Sequence, residues 1–357
     1  MKLIHCSDIH LDSPMESNLT ARQAKERNTE ICRTFARMVD YARKEDVTAI
    51  LVAGDLFDTR RISTTTAQFI LDTIIGAPEI QFLYLKGNHD EADRAFGNHA
   101  LPENLVTFSD VWQYCHIGNV TVAGIELSNR NCYTLYGDLK LAPEQKNIVM
   151  LHGQISARAG EELVALPELR GKHIDYLALG HIHSYSYDAL DDRGVHCYCG
   201  CLEGRGYDEC GAKGFVLLEV DDRRISHRFV PFASRTLHDI TVDITGLNTT
   251  PELLKAMQKA AAAIPDSDLV KFTLCGSYGL DTHKDLPFLK TMLSERFYSV
   301  KLKDTSRLQI DAASYENDIS LKGEFIRTVL ASDLPAEDKD RIICAGLEAL
   351  QGEEISL

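Results

Sequence analysis

The sequence predicts an α/β protein whose first two thirds are built on a mostly parallel sheet. Three observations carry that prediction. Short apolar runs of strand length occupy residues 2–7, 48–53, 80–86, 147–152 and 175–180, and each stops where polar residues begin. Between the first three lie stretches with helical spacing, residues 20–45 and 63–76, in which Ile31, Phe35, Met38 and Val39 share a face. Such strand, helix, strand alternation gives a parallel sheet covered by helices. From residue 195 to 232 the pattern changes to strand runs split by Gly and Asp turns, notably Gly214 to Val220, Asp221-Asp222 and Ile225 to Pro231. Antiparallel strands finishing the first domain are the expectation there.

After Ser234-Arg235 a new unit begins. His238 to Ile244, Leu269 to Cys275 and Tyr298 to Lys303 read as strands, and Pro251 to Ala263 and Leu286 to Phe297 as helices. The predicted division is a first domain at 1–232, a small α/β domain at 236–315 and a helical tail at 316–357. In the tail, two helical stretches flank Asp333-Leu334-Pro335. Leu321, Phe325, Ile326 and Val329 form one stripe, and Ile342, Ile343, Leu347 and Leu350 a second. Either the stripes pack on the chain's own body or they dock a partner helix.

Composition bounds the function. A chain of 357 residues accommodates two or three domains, and 44% hydrophobic with 25% charged residues is the mix of a globular protein rather than a disordered one. The 38 Lys and Arg against 53 Asp and Glu leave a net charge of −15. That is the wrong sign for coating nucleic acid nonspecifically, so any nucleic-acid contact must be local. No 18-residue apolar stretch occurs, and the expectation is a protein neither secreted nor membrane-spanning. Ten cysteines without a CxxC pair point to a reducing cytoplasm. Cys197, Cys199, Cys201 and Cys210 lack the tight-turn pairing of a zinc site and read as small strand residues.

The residues that carry chemistry sit where the apolar runs end. In order they are Asp8-Ile9-His10, Gly54-Asp55-Leu56-Phe57-Asp58, Gly87-Asn88-His89-Asp90, His152-Gly153 and Gly180-His181-Ile182-His183. Ligands of open parallel sheets bind beyond the carboxyl ends of the strands, so all five clusters should meet in one crevice. They bring Asp8, His10, Asp55, Asn88, His152, His181 and His183. Seven nitrogen and oxygen ligands are too many for one ion and suit two divalent cations sharing a carboxylate, with Asp55 as the bridge. Each fragment alone is also an acceptable turn or strand end; five in order are not explained that way.

The series resembles the five motifs of the calcineurin-like metallophosphoesterases over residues 1 to about 232. His5-Cys6-Ser7-Asp8-Ile9-His10-Leu11-Asp12-Ser13-Pro14 and Gly54-Asp55-Leu56-Phe57-Asp58 are similar to the DNA-repair exonuclease branch, which contains SbcD subunits and YhaO-type relatives. The phosphoprotein phosphatase branch would carry Arg-Gly after the second Asp of that segment, where this chain has Thr59-Arg60. Tyr198-Cys199-Gly200-Cys201-Leu202-Glu203-Gly204-Arg205, Glu209-Cys210-Gly211 and Lys213-Gly214-Phe215 are similar to a later segment of the same branch, with Cys199 where Pro is usual.

The resemblance implies a metallophosphoesterase sandwich with a small α/β capping domain and C-terminal helices. It implies Asp8, His10, Asp55 and His183 around one metal and Asp55, Asn88, His152 and His181 around the other. His89 is then a proton donor to the leaving alkoxide, with Asp58 orienting its ring. Manganese is the metal the resemblance implies; the ligand types also admit iron or zinc. It further implies a DNA exonuclease or endonuclease subunit in DNA repair that dimerises and binds an SMC-like coiled-coil ATPase through its C-terminal region. The alternatives are a small-nucleotide phosphodiesterase or phosphomonoesterase, and a mainly non-catalytic recruitment subunit for the ATPase. Arg60, Arg61, Arg94 and Arg205 are candidates to hold strand phosphates, or are solvated surface charges. His99, His116 and His227 read as ordinary surface or core residues.

Overall fold

The computed structural model describes residues 1–15, 19–58, 62–90, 101–279, 282–309 and 315–351. Contacts divide the chain into two compact units, Met1–Thr236 and Leu237–Leu357. The residue patterns alone suggest one sheet in the first unit; the chain builds two. In spatial order the first holds Ile225–Pro231, Gly214–Val220, Lys2–Cys6, Val47–Ala53, Gln81–Leu85 and Leu105–Thr107. The second holds Ser186–Ala189, Val195–Tyr198, Tyr176–Gly180, Lys146–His152, Val120–Gly124 and Gln113–Ile117. Strands run parallel through the middle of each sheet; antiparallel pairings close both edges of the second sheet and one edge of the first, whose other edge strand, Leu105–Thr107, pairs in parallel.

Alternation along each strand feeds two cores at once. From the first sheet, Ile4, Ile50, Val52, Phe82 and Tyr84 meet Ile31, Phe35 and Met38 of the helix Ala21–Lys44 and Ile70 and Ile74 of the helix Thr64–Ile75. The opposite faces, with Leu3, Leu51, Leu83 and Leu85, pack on Val122, Ile148, Met150 and Ala178 of the second sheet. Strands covered on both sides read as unbroken apolar runs whichever sheet they join, which is why one sheet and two look alike in the sequence. The weakly patterned edge strand Gln113–Ile117 gives no such run and is not marked as a strand by its sequence.

The cysteine cluster belongs to this interior. Cys197 and Cys199 lie in the core between the sheets. Burial pushes the Cys197 thiol up to about 12 and the Cys199 and Cys201 thiols well above their ordinary value.

The second unit has a three-stranded parallel sheet, ordered Leu237–Asp243, Leu269–Cys275 and Ser299–Asp304. The helices Thr250–Ala260 and Leu286–Ser294 cover it through Leu253, Met257, Leu289 and Leu293. Thr249 and Glu252 form a capping box that fixes where the first of these helices begins.

The tail helices, Leu321–Leu330 and Ala336–Gln351, belong to the same unit and bury Ile326, Val329, Ile343 and Leu347 with Leu308. Packing within the chain's own body therefore takes Phe325, Ile326 and Val329 of the first stripe and Ile343 and Leu347 of the second. Leu321 is 69% exposed and Ile342 38% exposed. At about 100° per residue, Leu321 points about 140° away from Ile326, and adjacent Ile342 and Ile343 cannot share a face. The side chain of Leu350 lies outside the described residues. Among those residues no helix is long and apolar enough to cross a membrane.

Candidate metal centre

Parallel strands deliver their carboxyl ends to one edge. Asp8 follows Lys2–Cys6, Asp55 follows Val47–Ala53, Asn88 and His89 follow Gln81–Leu85, His152 ends its strand, and His181 follows Tyr176–Gly180. The turns that expose these side chains are unusual in backbone: φ is 50° at Asp8, 51° at His10, 52° at Asp55 and 100° at His181. Left-handed backbone at non-glycine residues costs energy that the surrounding structure must offset, and it is concentrated here. Gly180 admits the close approach of the two sheets, since a Cβ there would collide with the Ala53 carbonyl oxygen and with His152.

The polar atoms converge. Nε2 of His183 lies 3.7 Å from Asp8 Oδ1, and Nε2 of His10 lies 4.0 Å from the same oxygen and 3.8 Å from Asp55 Oδ2. Nε2 of His152 lies 3.4 Å from Asp55 Oδ2 and 2.9 Å from Asn88 Oδ1. Nδ1 of His181 stands 3.3 Å from that amide oxygen. All seven residues that the motifs single out as ligands are thus brought together. Asp8, His10, Asp55 and His152 are nearly inaccessible to solvent.

The far nitrogens of three imidazoles are held from behind. His152 Nδ1 is 2.9 Å from the Ala53 carbonyl oxygen, His183 Nδ1 is 2.6 Å from Glu209 Oε1, and His10 Nδ1 is 3.0 Å from Asp58 Oδ1. With a single proton on each of these rings, held at Nδ1, every Nε2 would turn a bare lone pair inward, the tautomer a metal requires. Two such lone pairs, on His10 and His183, face each other at 3.1 Å. Bare donors and carboxylates crowded this closely repel one another unless cations stand among them. On that ground the residues fit divalent ions, and the clusters Asp8, His10, His183 and Asp8, Asp55, His152 have the spacing to hold them.

Where cations do not balance the carboxylates, protons drawn onto His152 and His183 do so instead. Burial raises the Asp55 carboxyl, but His152 and His10 beside it hold it well below the usual carboxylate range. Burial lowers His152, and Asp55 more than reverses this, pushing it up to about 9. Burial lowers His10, and burial together with His152 lowers His181. Burial likewise opposes charge on His183, which Glu209 raises overall.

His89 stands beside the cluster with a half-exposed side chain, its backbone N–H donating to Asp55 Oδ1 at 2.9 Å. Its Nδ1 lies 3.5 Å from Asp58 Oδ1, farther than His10 does. Asp58 therefore stands beside two rings, where the family resemblance implies only one.

The residue series, the two-sheet scaffold and the inward-facing ligands coincide with a family model described as calcineurin-like phosphoesterase, which matches residues 1–185. The chain is a calcineurin-like phosphoesterase. As a member of that family it is a metal-dependent phosphoesterase. It is 28% identical over 280 residues to an uncharacterized metallophosphoesterase, YhaO, of Bacillus subtilis, covering 72% of this chain and 67% of that one. It is also 30% identical over 204 residues to the DNA double-strand break repair protein Mre11 of Sulfolobus acidocaldarius, covering 54% of this chain and 52% of that protein. With Mre11 of Saccharolobus solfataricus the identity is 29%, covering 61% of this chain and 60% of the relative. The chain thus matches little more than half the length of these two repair proteins.

Three residues around the phosphoesterase site take roles that their motifs do not assign. Glu209, part of the later resembling segment, partners His183. Asp90 is buried and accepts backbone N–H groups from Leu56, Phe57 and Gly87, which ties the second and third motif loops together. Burial and the nearby Asp55 raise its carboxyl to about 6. Arg205, a candidate phosphate contact, turns inward instead to Glu209 and Asp58. Arg60, Arg61, Arg94 and His99 lie outside the described residues.

Proposed function

We propose that this phosphoesterase is a nuclease subunit that hydrolyses phosphodiester bonds of DNA in DNA repair, with two divalent ions, manganese by preference, bound at the carboxyl edge of its sandwich. The observation that carries the reading is the inward convergence of Nε2 from His10, His152 and His183 on Asp8 and Asp55, with each ring fixed from behind. Asp8, His10, Asp55 and His183 would hold one ion; Asp55, Asn88, His152 and His181 would hold the other. Such ions lower the pKa of a bound water and offset charge on phosphoryl oxygens.

The chain's own residues supply the rest. Asp55 is held in place by the His89 N–H and by the Gly87 backbone against which it packs. His89, half-exposed at the rim, carries the proton that the departing oxygen needs, and Asp58 aligns its ring. Similarity to Mre11 proteins supports DNA as the substrate. The reading extends to a cytoplasmic subunit that dimerises and binds an SMC-like coiled-coil ATPase.

The test is purified protein with manganese, challenged in parallel with end-labelled single- and double-stranded DNA and with an aryl phosphodiester. Manganese-dependent DNA cleavage that chelation abolishes is expected. Hydrolysis of the aryl diester and of small nucleotides with DNA left intact would replace the nuclease reading by a small-nucleotide phosphodiesterase.

A further inference from the structure

We infer that Arg205 is the positioning residue of one metal position, the one formed by Asp8, His10, Asp55 and His183, and that it makes the two positions unequal. The inference rests on the two-ion reading above. Its basis is a single guanidinium that reaches two carboxylates at once: Nη1 lies 3.2 Å from Asp58 Oδ1, and Nη2 lies 3.0 Å from Glu209 Oε1. Those carboxylates stand behind His10 and His183, at 3.0 Å and 2.6 Å from their Nδ1 atoms.

Asp58 and Glu209 come from separate segments of the first unit, so their alignment is not set by local backbone. Arg205 supplies it, and is itself anchored by its backbone N–H, which donates to Glu209 Oε2 at 2.7 Å. The side chain is only 17% exposed, which leaves the guanidinium and both carboxylates weakly screened. A planar guanidinium can serve two carboxylates in fixed directions, whereas an ammonium acts as a point charge.

The other position is built differently. His152 is backed by the neutral Ala53 carbonyl. Nδ1 of His181 faces Asn88 Oδ1. The Arg205 charge offsets the basicity its two carboxylates would lend the rings, so its contribution is orientation: a carboxylate pinned by a guanidinium holds an imidazole in a fixed direction, as the Ala53 carbonyl alone holds His152. With both of its rings so held, the position backed by Arg205 should bind its ion more tightly, and Arg205 should matter to that ion alone.

The experiment is calorimetric titration of the full chain with manganese alone, for the wild type, Arg205→Met, Arg205→Lys and Glu209→Gln, alongside melting of each metal-free protein. The wild type should take up two ions in unequal steps. Arg205→Met should weaken the tighter step by about 10- to 100-fold and leave the other within about twofold; its metal-free melting temperature should fall, since Asp58 and Glu209 lose their shared partner, and the titration is run well below that temperature. Glu209→Gln should weaken the same step, and Arg205→Lys should fall between. Equal weakening of both steps would make Arg205 a general structural residue and overturn the inference. Unchanged binding with a raised KM for DNA would overturn it in favour of a substrate contact. A wild type that binds fewer than two ions would instead remove the two-ion reading beneath it.

Discussion

The Asp58 carboxylate stands 3.0 Å from Nδ1 of His10, a ring that is almost wholly buried. It lies farther from His89, so removing its charge disturbs a proposed metal ligand as well as the proposed proton donor. Asp58→Asn should lower manganese affinity by about 10-fold or more and also slow turnover at saturating metal. Steady-state kinetics over a range of manganese concentrations separate the two effects. Full recovery of rate at high metal would confine Asp58 to His10.

His89 offers a cleaner separation. Its backbone N–H, which holds Asp55, survives any side-chain change, and its ring lies at the rim. His89→Gln should retain two bound ions by elemental analysis while losing roughly two to four orders of magnitude in rate. Loss of an ion along with the activity would make His89 a ligand.

Much of this site was legible because parallel strands order it. Five polar clusters at the ends of five apolar runs, Asp8 to His183, can meet at one edge whichever sheet each strand joins. The sandwich followed from the family resemblance and not from the residue patterns, since Leu3 and Ile4 are both fully buried and carry no mark of which sheet each faces. Asp58 was assigned to His89 alone because sequence order says nothing of which ring a carboxylate will reach. Glu209 reaches His183 from 26 residues away and Arg205 reaches Asp58 from a distant segment, and neither pairing is encoded in local spacing. In the tail, periodicity found the helices but set Leu321 and Ile342 on buried stripes. Which third of an amphipathic helix is covered depends on its partner, and the pairing of Ile326 with Ile343 fixes that only in the fold.

His5 gives a pH dependence apart from the metal ligands. It is fully buried beside the Tyr176 hydroxyl, and burial lowers it from 6.5 to about 3. As the pH falls below about 6.5 the unfolded chain takes up a proton there that the folded chain refuses, so stability is lost progressively down to the folded pKa. At about 1.4 kcal/mol per pH unit, the loss from this group between pH 7 and 5 is about 2 kcal/mol. His5→Gln lacks the titration, so its stability relative to the wild type should rise by about that amount over the same range. Urea unfolding of both proteins at pH 7 and 5, with chelator present, measures it. A parallel loss in both would assign the acid sensitivity elsewhere.

The tail helices admit a test that separates packing from docking. Val329 is 8% exposed and Ile326 fully buried against Ile343 and Leu347, so a charge placed at this seam has no water to meet. Phe325→Glu with Val329→Glu should therefore lower the melting temperature clearly, since burying an unpaired charge costs several kcal/mol. Gly346 supplies an independent check: a Cβ there would run into the Phe325 ring. Alanine is the better helix former by about 1 kcal/mol, yet Gly346→Ala should destabilise the pair, because overpacking costs about 1–3 kcal/mol. Thermal melts of both variants, with aryl phosphodiester hydrolysis as a control on the first unit, decide the matter. An unshifted melt in the double-Glu variant would mean that the seam opens readily, and would return these helices to the role of a partner-binding surface.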